Sequence, residues 1–306
     1  MPASLSLVTC TRNPRPDLLA RVLAAVAELR VPSGETVEHM LIDSASSPPL
    51  AERTDVRAFV AAHPHTRIIR SDEPGHALAR RLGLREATGG LLVWFDDDNV
   101  PAPDYLEHAV ATARTRPDVS VWGAGRIHVE FVELVPAWVD RTQRPTFQER
   151  TQESDEFGSS REWATYFPVG SGMVTRRAAM QRWADATDGG RYTLTGRRAG
   201  GLGSGDDAQI IFDAIAAGGL VGVTAGMSLT HLIPASRCTL RYLTRLEYAL
   251  AASLRVARAE CFPEDPSPAS LAGPSAAASS SRTCCSSSWA SFPAACRPVW
   301  PWPHVS

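Results

Sequence analysis

The sequence predicts an α/β fold, a mostly parallel central sheet flanked by helices. Two observations predict it. Apolar strand-like runs alternate with helix-periodic segments through the N-terminal third, and the runs at 38–43 and 91–95 are both closed by acidic residues. Such alternation implies right-handed crossovers between parallel strands. Ligands of these sheets bind outside the carboxyl ends of the strands, so Asp43 and Asp96–Asp98 should face one crevice.

Each element follows from its own pattern. LSLVTC (5–10) is a short apolar strand. Leu18, Leu19, Val22, Leu23, Val26 and Leu29 recur at helical spacing behind Pro16 and Asp17, which suit a first turn. EHMLID (38–43) is a second strand, closed by the turn cluster SASSPP. A short helix from Val56 to Ala62 leads to the strand TRIIR (66–70). HALARRLGLREA (76–87) is a helix stopped by Gly89 and Gly90, and LLVWF (91–95) is the fourth strand.

The middle of the chain is less regular. PAPDYLEHAVATA (101–113) starts a helix, VSVWGAGRIHVEFV (119–132) reads as paired strands, and the polar stretch 140–165 reads as a mobile loop. YFPVGSGMVT (166–175) is a strand interrupted by glycines, followed by an amphipathic helix from Arg176 to Ala186. GLGSGDDAQIIFDAIAAGG (201–219) is a glycine loop, two acids and a helix. LVGVTAGMSLTHL (220–232) is strand-like, and LRYLTRLEYALAASLRVARAE (240–260) is a long amphipathic helix.

Residues 1–262 form one domain on this reading. The segment 263–306 is rich in Ser, Pro and Ala without usable periodicity, as expected of a low-complexity, disordered tail. It also holds Trp289, Trp300, Trp302, Cys284, Cys285 and Cys296, which solvated linkers avoid. An aberrant, out-of-frame tail is therefore a second expectation for it.

Composition excludes several classes. A net charge of −2 implies no general affinity for nucleic acid. All 31 basic side chains are Arg, so neither a P-loop Lys nor a Schiff-base Lys is present. No window approaches a transmembrane span, and MPASLSLVTC lacks the charged start of a secretion signal. The cysteines show neither zinc spacing nor a disulfide framework, which points to a reducing cytoplasm. The helix 240–260, with Arg241, Arg245, Arg255 and Arg258, is either an ordinary packing helix or a peripheral contact to the inner membrane face.

WFDDDNV (94–100) sets three adjacent carboxylates behind a buried run. Adjacent carboxylates repel and resist desolvation, so they need a cation, donors or solvent. On this motif alone a metal site and a solvated loop stand level.

The stretches VTCTRNP, LIDSAS, EPGHALARRLGLREATGGLLVWFDDDNVPAPDYLE, VGSGMVTRR, GSGDDAQIIFDAIAAGG and HLIPASR occur in that order. In this the chain resembles the family 2 glycosyltransferases of the GT-A fold, bacterial polysaccharide-biosynthesis type. The resemblance implies a Rossmann-like sheet, a nucleotide-diphosphate sugar donor, a saccharide, lipid-linked or other hydroxyl acceptor, and Mg2+ or Mn2+. A divalent cation would neutralise the diphosphate leaving group, and such cations take carboxylate oxygens.

Residue by residue, the resemblance implies metal binding by Asp96, Asp98 and His231, with Asp97 on the ribose or in solvent. Thr9 and Arg12 would line the base and phosphate side, and Arg80 would support the donor pocket. Asp43 would accept from the base edge, against an Asx-turn role. Gly172, with Gly170, would let the backbone approach a sugar, against a β-bulge. Asp207 would be the general base of an inverting transfer, with Asp206 beside it in place of the commoner Glu. Helix capping is the alternative for both, and it could coexist with catalysis. Trp138 and Trp163 are candidates for stacking on an acceptor sugar, with core packing as the alternative.

Other classes lack their motifs. A nucleotidyltransferase needs a Gly-rich first loop with Lys, and a dinucleotide oxidoreductase needs G-x-G-x-x-G after the first strand. The alternative to a working transferase is a degenerate chain that binds nucleotide without turnover.

Overall fold

A computed structural model describes residues 5–194, 196 and 205–265. The chain divides into a unit of residues 1–263 and a second of residues 264–306. The Ser-, Pro- and Ala-rich segment, beyond Asp265, lies outside the described residues, as does most of the glycine loop ahead of Asp206.

In chain order the first half runs β1 (Leu5–Thr11), α1 (Pro16–Ala27), β2 (Val37–Ser44), α2 (Thr54–Ala62), β3 (Thr66–Ser71), α3 (His76–Glu86) and β4 (Leu91–Asp96). The second half runs β5 (Asn99–Pro101), α4 (Tyr105–Thr115), β6 (Val119–Phe131), α5 (Ala137–Thr142), β7 (Arg150–Thr151) and β8 (Glu156–Gly158). It ends with β9 (Met173–Arg176), α6 (Arg177–Asp188), α7 (Asp206–Ala216), β10 (Leu220–Ile233) and α8 (Leu240–Cys261). The strands form one sheet in the order β3-β2-β1-β4-β9-β6-β10-β5, with β7 on β6 and β8 on β10. The long pairings, β1–β2, β1–β4, β2–β3 and β6–β10, are parallel; the antiparallel ones are short.

The apolar pattern explains why the sheet is central. β1 is buried throughout and β4 up to its last residue, as befits strands covered on both faces. Successive side chains point to opposite faces. Leu5, Leu7, Val93 and Phe95 meet Val22, Val26, Leu106 and Val110 from α1 and α4. Val8, Cys10, Leu92 and Trp94 meet Leu84, Trp183 and Phe212 from α3, α6 and α7. Each large apolar side chain buried this way contributes roughly 1.5–3 kcal/mol. That burial fixes the strand order and leaves the polar strand ends at one edge. In register, Thr11 lies beside Asp43 and Cys10 beside Asp96.

Three regions differ from the sequence expectation. Residues 119–131 form one strand rather than a pair, because β10 runs parallel beside them with an irregularity between Thr224 and Ser228. The polar stretch 140–165 is built, not loose: β7 and β8 add to the sheet, and Arg144 holds Asp140 and Glu149 at 2.6 and 2.8 Å. Of 166–175, only the part from Met173 is strand. The preceding residues form a loop that runs past the edge where the acids collect. No described helix is long and apolar enough to cross a membrane.

Candidate active site

The triple aspartate is a tight turn between two strands. Asp96 ends β4, and Asn99 begins β5, where it pairs with His231 of β10. Asn99 locks the turn: its Oδ1 accepts from Asp96 N at 3.0 Å and its Nδ2 donates to Asp98 Oδ1 at 2.9 Å. Leu232 N donates to the Asp98 carbonyl at 2.8 Å. The three carboxylates therefore leave a rigid turn in different directions.

Asp98 is buried and faces His231 and Arg237. Arg237 Nη1 donates to Asp98 Oδ2 at 2.8 Å, and His231 Nε2 lies 3.6 Å from Asp98 Oδ1. His231 Nδ1 lies 2.9 Å from the Phe147 carbonyl. A carbonyl only accepts, so Nδ1 carries the hydrogen and Nε2 is the ring nitrogen on the Asp98 side. This orientation of a ring by its other nitrogen is typical of metal-ligating histidines. Asp97 accepts from the Thr11 hydroxyl. Burial, then the neighbouring Asp98 charge, pushes the Asp97 carboxyl up to about 7.

Asp96 has a different companion. His76, the first residue of α3, lies with Nε2 3.3 Å from Asp96 Oδ1 and Nδ1 2.9 Å from Asp206 Oδ2. The three residues expected at a metal are thus divided between two places. Asp98 and His231 come together, Asp96 turns to His76, and no group of three His, Cys, Asp or Glu able to hold a metal occurs among the described residues. The reason is the turn itself, which sends positions 96 and 98 to different neighbours. Asp98 and His231 still fit a hard divalent cation that completes its shell with substrate phosphates and water.

The second acidic pair opens α7 behind Gly205, whose φ of +119° suits a residue without Cβ. Asp206 is buried against Arg80, with Arg80 Nη1 2.9 Å from Asp206 Oδ2. Burial opposes its charge, but Arg80 and His76 outweigh it and hold the Asp206 carboxyl well below the usual carboxylate range. Asp207 is half-buried, and its Oδ1 accepts from Ala208 N at 2.9 Å. Burial, then the Asp206 charge, raises the Asp207 carboxyl. The two adjacent carboxylates are pushed in opposite directions, an arrangement that suits one to stay an anion and the other to take up a proton.

Other expected residues are placed otherwise. The Thr9 side chain is fully buried and meets His39 Nε2 at 3.1 Å, so it packs inside the sheet. Asp43 serves its own turn: Oδ1 accepts from Ser46 N at 2.8 Å, and Oδ2 from Leu50 N at 3.0 Å and Arg70 Nη1 at 2.8 Å. Gly172 lies against Tyr105, which donates to its carbonyl, so packing and a φ of +70° require the glycine there. Gly170 is the glycine at the acids: a Cβ on it would stand 3.1 Å from both Asp207 Oδ2 and Arg80 Nη2. Arg12 is exposed and makes no hydrogen bond or ion pair among the described residues. Trp163 is partly buried and packs against the core on Phe167, with ring centroids 5.3 Å apart.

Sequence reasoning missed His76 and the role of Arg237. The partners of His76 lie 20 and 130 residues away, beyond any local spacing. Arg237 stood inside the quoted HLIPASR stretch but had no partner assigned.

The fold is that of GT-A glycosyltransferases. The mannosyltransferase PcManGT from Pyrobaculum calidifontis, solved with GDP-Man and Mn2+, superposes with a TM-score of 0.56 at 22% identity over 88% of this chain and 67% of that one. S. aureus TarS 1-349, solved with UDP, superposes with a TM-score of 0.53 at 14% identity over 85% of this chain and 65% of that one. The succinoglycan biosynthesis protein ExoM of Rhizobium meliloti (strain 1021) is 23% identical over 245 residues, 80% of this chain and 72% of that protein. Residues 6–183 match Glycosyl transferase family 2, and the chain belongs to that family of enzymes.

Proposed function

We propose that the chain is an inverting, divalent-metal-dependent glycosyltransferase. It moves a sugar from a nucleotide-diphosphate donor to a hydroxyl acceptor during bacterial polysaccharide assembly. The observation that carries the reading is the Asp206–Asp207 pair: one carboxylate pinned by Arg80 and His76, the other half-buried with its proton affinity raised.

Asp207 accepts the acceptor hydroxyl proton as that oxygen attacks the anomeric carbon from the side opposite the leaving diphosphate. A base with raised proton affinity suits this step, because proton transfer to it is better driven near neutral pH. Gly170 leaves the space against Asp207 Oδ2 that a side chain would fill. Asp98 and His231 would hold Mg2+ or Mn2+, which supplies charge neutralisation for the diphosphate when bound. Arg12 is free to meet the phosphates. GDP-Man and UDP in the two similar structures support a nucleotide donor, and ExoM supports a polysaccharide product.

The test is stereochemical. Incubation with a panel of UDP- and GDP-sugars, Mn2+ and oligosaccharide acceptors should give a glycoside of inverted anomeric configuration by proton NMR. A retained configuration would remove Asp207 as a single-step base.

A further inference from the structure

His76 stands between two carboxylates that arrive from opposite parts of the site. Its Nδ1 lies 2.9 Å from Asp206 Oδ2 at the start of α7, and its Nε2 lies 3.3 Å from Asp96 Oδ1 at the end of β4. Both ring nitrogens face acceptors, and both can be satisfied only if each carries a hydrogen. The geometry therefore selects the imidazolium, whose charge strengthens both bonds.

The surroundings agree with that. Three carboxylates, Asp96, Asp206 and Asp207, and one cation, Arg80, act on this corner. Burial opposes the charge of the ring, yet the carboxylates prevail and raise His76 to about 9. Gly196 comes close to this corner: a Cβ on it would stand 2.9 Å from His76 Cβ and 3.0 Å from Asp206 Oδ1.

A charge-balancing role alone does not account for this residue. Arg80 already meets Asp206 at 2.9 Å, with both side chains 2% exposed. What His76 adds is the connection to Asp96, which joins the turn bearing Asp98 to the helix bearing Asp207. We propose that His76 is a positioning residue for sugar transfer, an imidazolium strut that ties the end of β4 to the start of α7. The strut fixes Asp206 and holds Asp207 at its working distance from the donor-side turn. This rests on the assignment of Asp207 as base.

The test uses the full chain with His76→Gln and His76→Leu, beside Asp206→Asn and Asp207→Asn. Nitrogen-15 NMR of the imidazoles should show one ring, absent from His76→Gln, that is doubly protonated at about pH 8, where an unperturbed histidine is neutral. The same ring should be neutral there in Asp206→Asn. Turnover is read as nucleoside diphosphate release from whichever sugar of a UDP- and GDP-sugar panel the unaltered chain uses fastest. It should fall roughly 10²-fold in both His76 variants, the scale of a displaced catalytic group. Binding of UDP or GDP with Mn2+ should change by less than about threefold, which a general loss of structure would not permit.

A neutral His76 ring at that pH in the unaltered chain overturns the strut. So does turnover within about threefold of the unaltered chain in both His76 variants, or a loss of nucleotide affinity matching the loss of turnover. Full activity in Asp207→Asn, or no release from any sugar by the unaltered chain, defeats the base assignment or the transferase reading instead. In either case the protonation of the His76 ring still decides whether the strut exists.

Discussion

Gly170 lies against Asp207: a Cβ there would stand 3.1 Å from Asp207 Oδ2 and 3.1 Å from Arg80 Nη2. That is tighter than ordinary contact, so an added methyl displaces the carboxylate or the guanidinium by a fraction of an ångström. Gly170→Ala should lower turnover by roughly tenfold or more while leaving the melting temperature nearly unchanged. Gly172→Ala should behave in the opposite way. Its φ of +70° and the nearby Tyr105 and Leu229 make the methyl a structural burden. The left-handed conformation alone costs about 1–2 kcal/mol, a fall of roughly 2–8 °C in melting temperature for a domain of this size. Turnover and thermal melts of both variants check the contrast, and equal melting losses would remove the distinction.

Asp207→Asn keeps the size of the side chain and removes the proton acceptor. Turnover should fall roughly 10²–10⁴-fold, the usual contribution of a positioned general base, with folding preserved. The pH profile carries a sign. Asp207 must be ionised to act, and burial and the Asp206 charge raise its carboxyl, so turnover should climb with pH through a value above the ordinary 3.8. Removing the Asp206 charge in Asp206→Asn takes away one raising influence, and the acid limb should move down. Rate against pH for the three proteins measures this; an acid limb that moves up would contradict the assignment.

The parallel half of the fold and the meeting of acids at its edge were legible because both are local signals. β1 to β4 are apolar runs closed by polar residues, and a parallel sheet turns all their carboxyl ends the same way. Residues 119–131 read as paired strands in the sequence, where Gly123 and Gly125 break the apolar run. Only the parallel partner β10, about a hundred residues on, shows that the strand continues. The side-chain roles divided along the same line. Asp206 and Asp207 announce themselves as a pair, whereas the direction of Thr9 depends on which face of β1 meets His39 from the next strand. His76 is invisible for the same reason: its meaning lies in Asp96 and Asp206, which only the tertiary fold brings to it.

Thr9 supplies a test of that distinction. His39 is buried and held neutral, its ring pushed down to about 3 by burial, and it meets hydroxyls of Thr9 at 3.1 Å and Thr66 at 3.3 Å. Thr9→Val removes one of these partners and leaves a buried ring nitrogen unsatisfied. Such a loss costs about 1–3 kcal/mol of stability. The donor KM should stay within about twofold, because the side chain faces the sheet interior and carries no transition-state contact. Denaturant unfolding and donor kinetics together check it; a large rise in donor KM at unchanged stability would restore Thr9 to the donor site.

Arg237 and His231 approach different oxygens of Asp98. Arg237 Nη1 is 2.8 Å from Oδ2, while His231 Nε2 faces Oδ1 at 3.6 Å. Arg237 therefore orients the carboxylate without occupying the oxygen nearest the imidazole. Removing a group that orients a metal ligand typically costs 10–100-fold in metal affinity, roughly the scale expected for Arg237→Met. The Mn2+ concentration for half-maximal turnover should rise by that factor, and excess Mn2+ should restore the rate. Asp98→Ala removes a donor oxygen outright and should not be rescued by excess metal. Chelation should abolish turnover in the unaltered chain, with recovery on adding Mn2+ or Mg2+. Turnover that ignores chelator and metal alike would show that Arg237 and His231 hold Asp98 for packing alone, with the diphosphate charge met by protein cations such as Arg12.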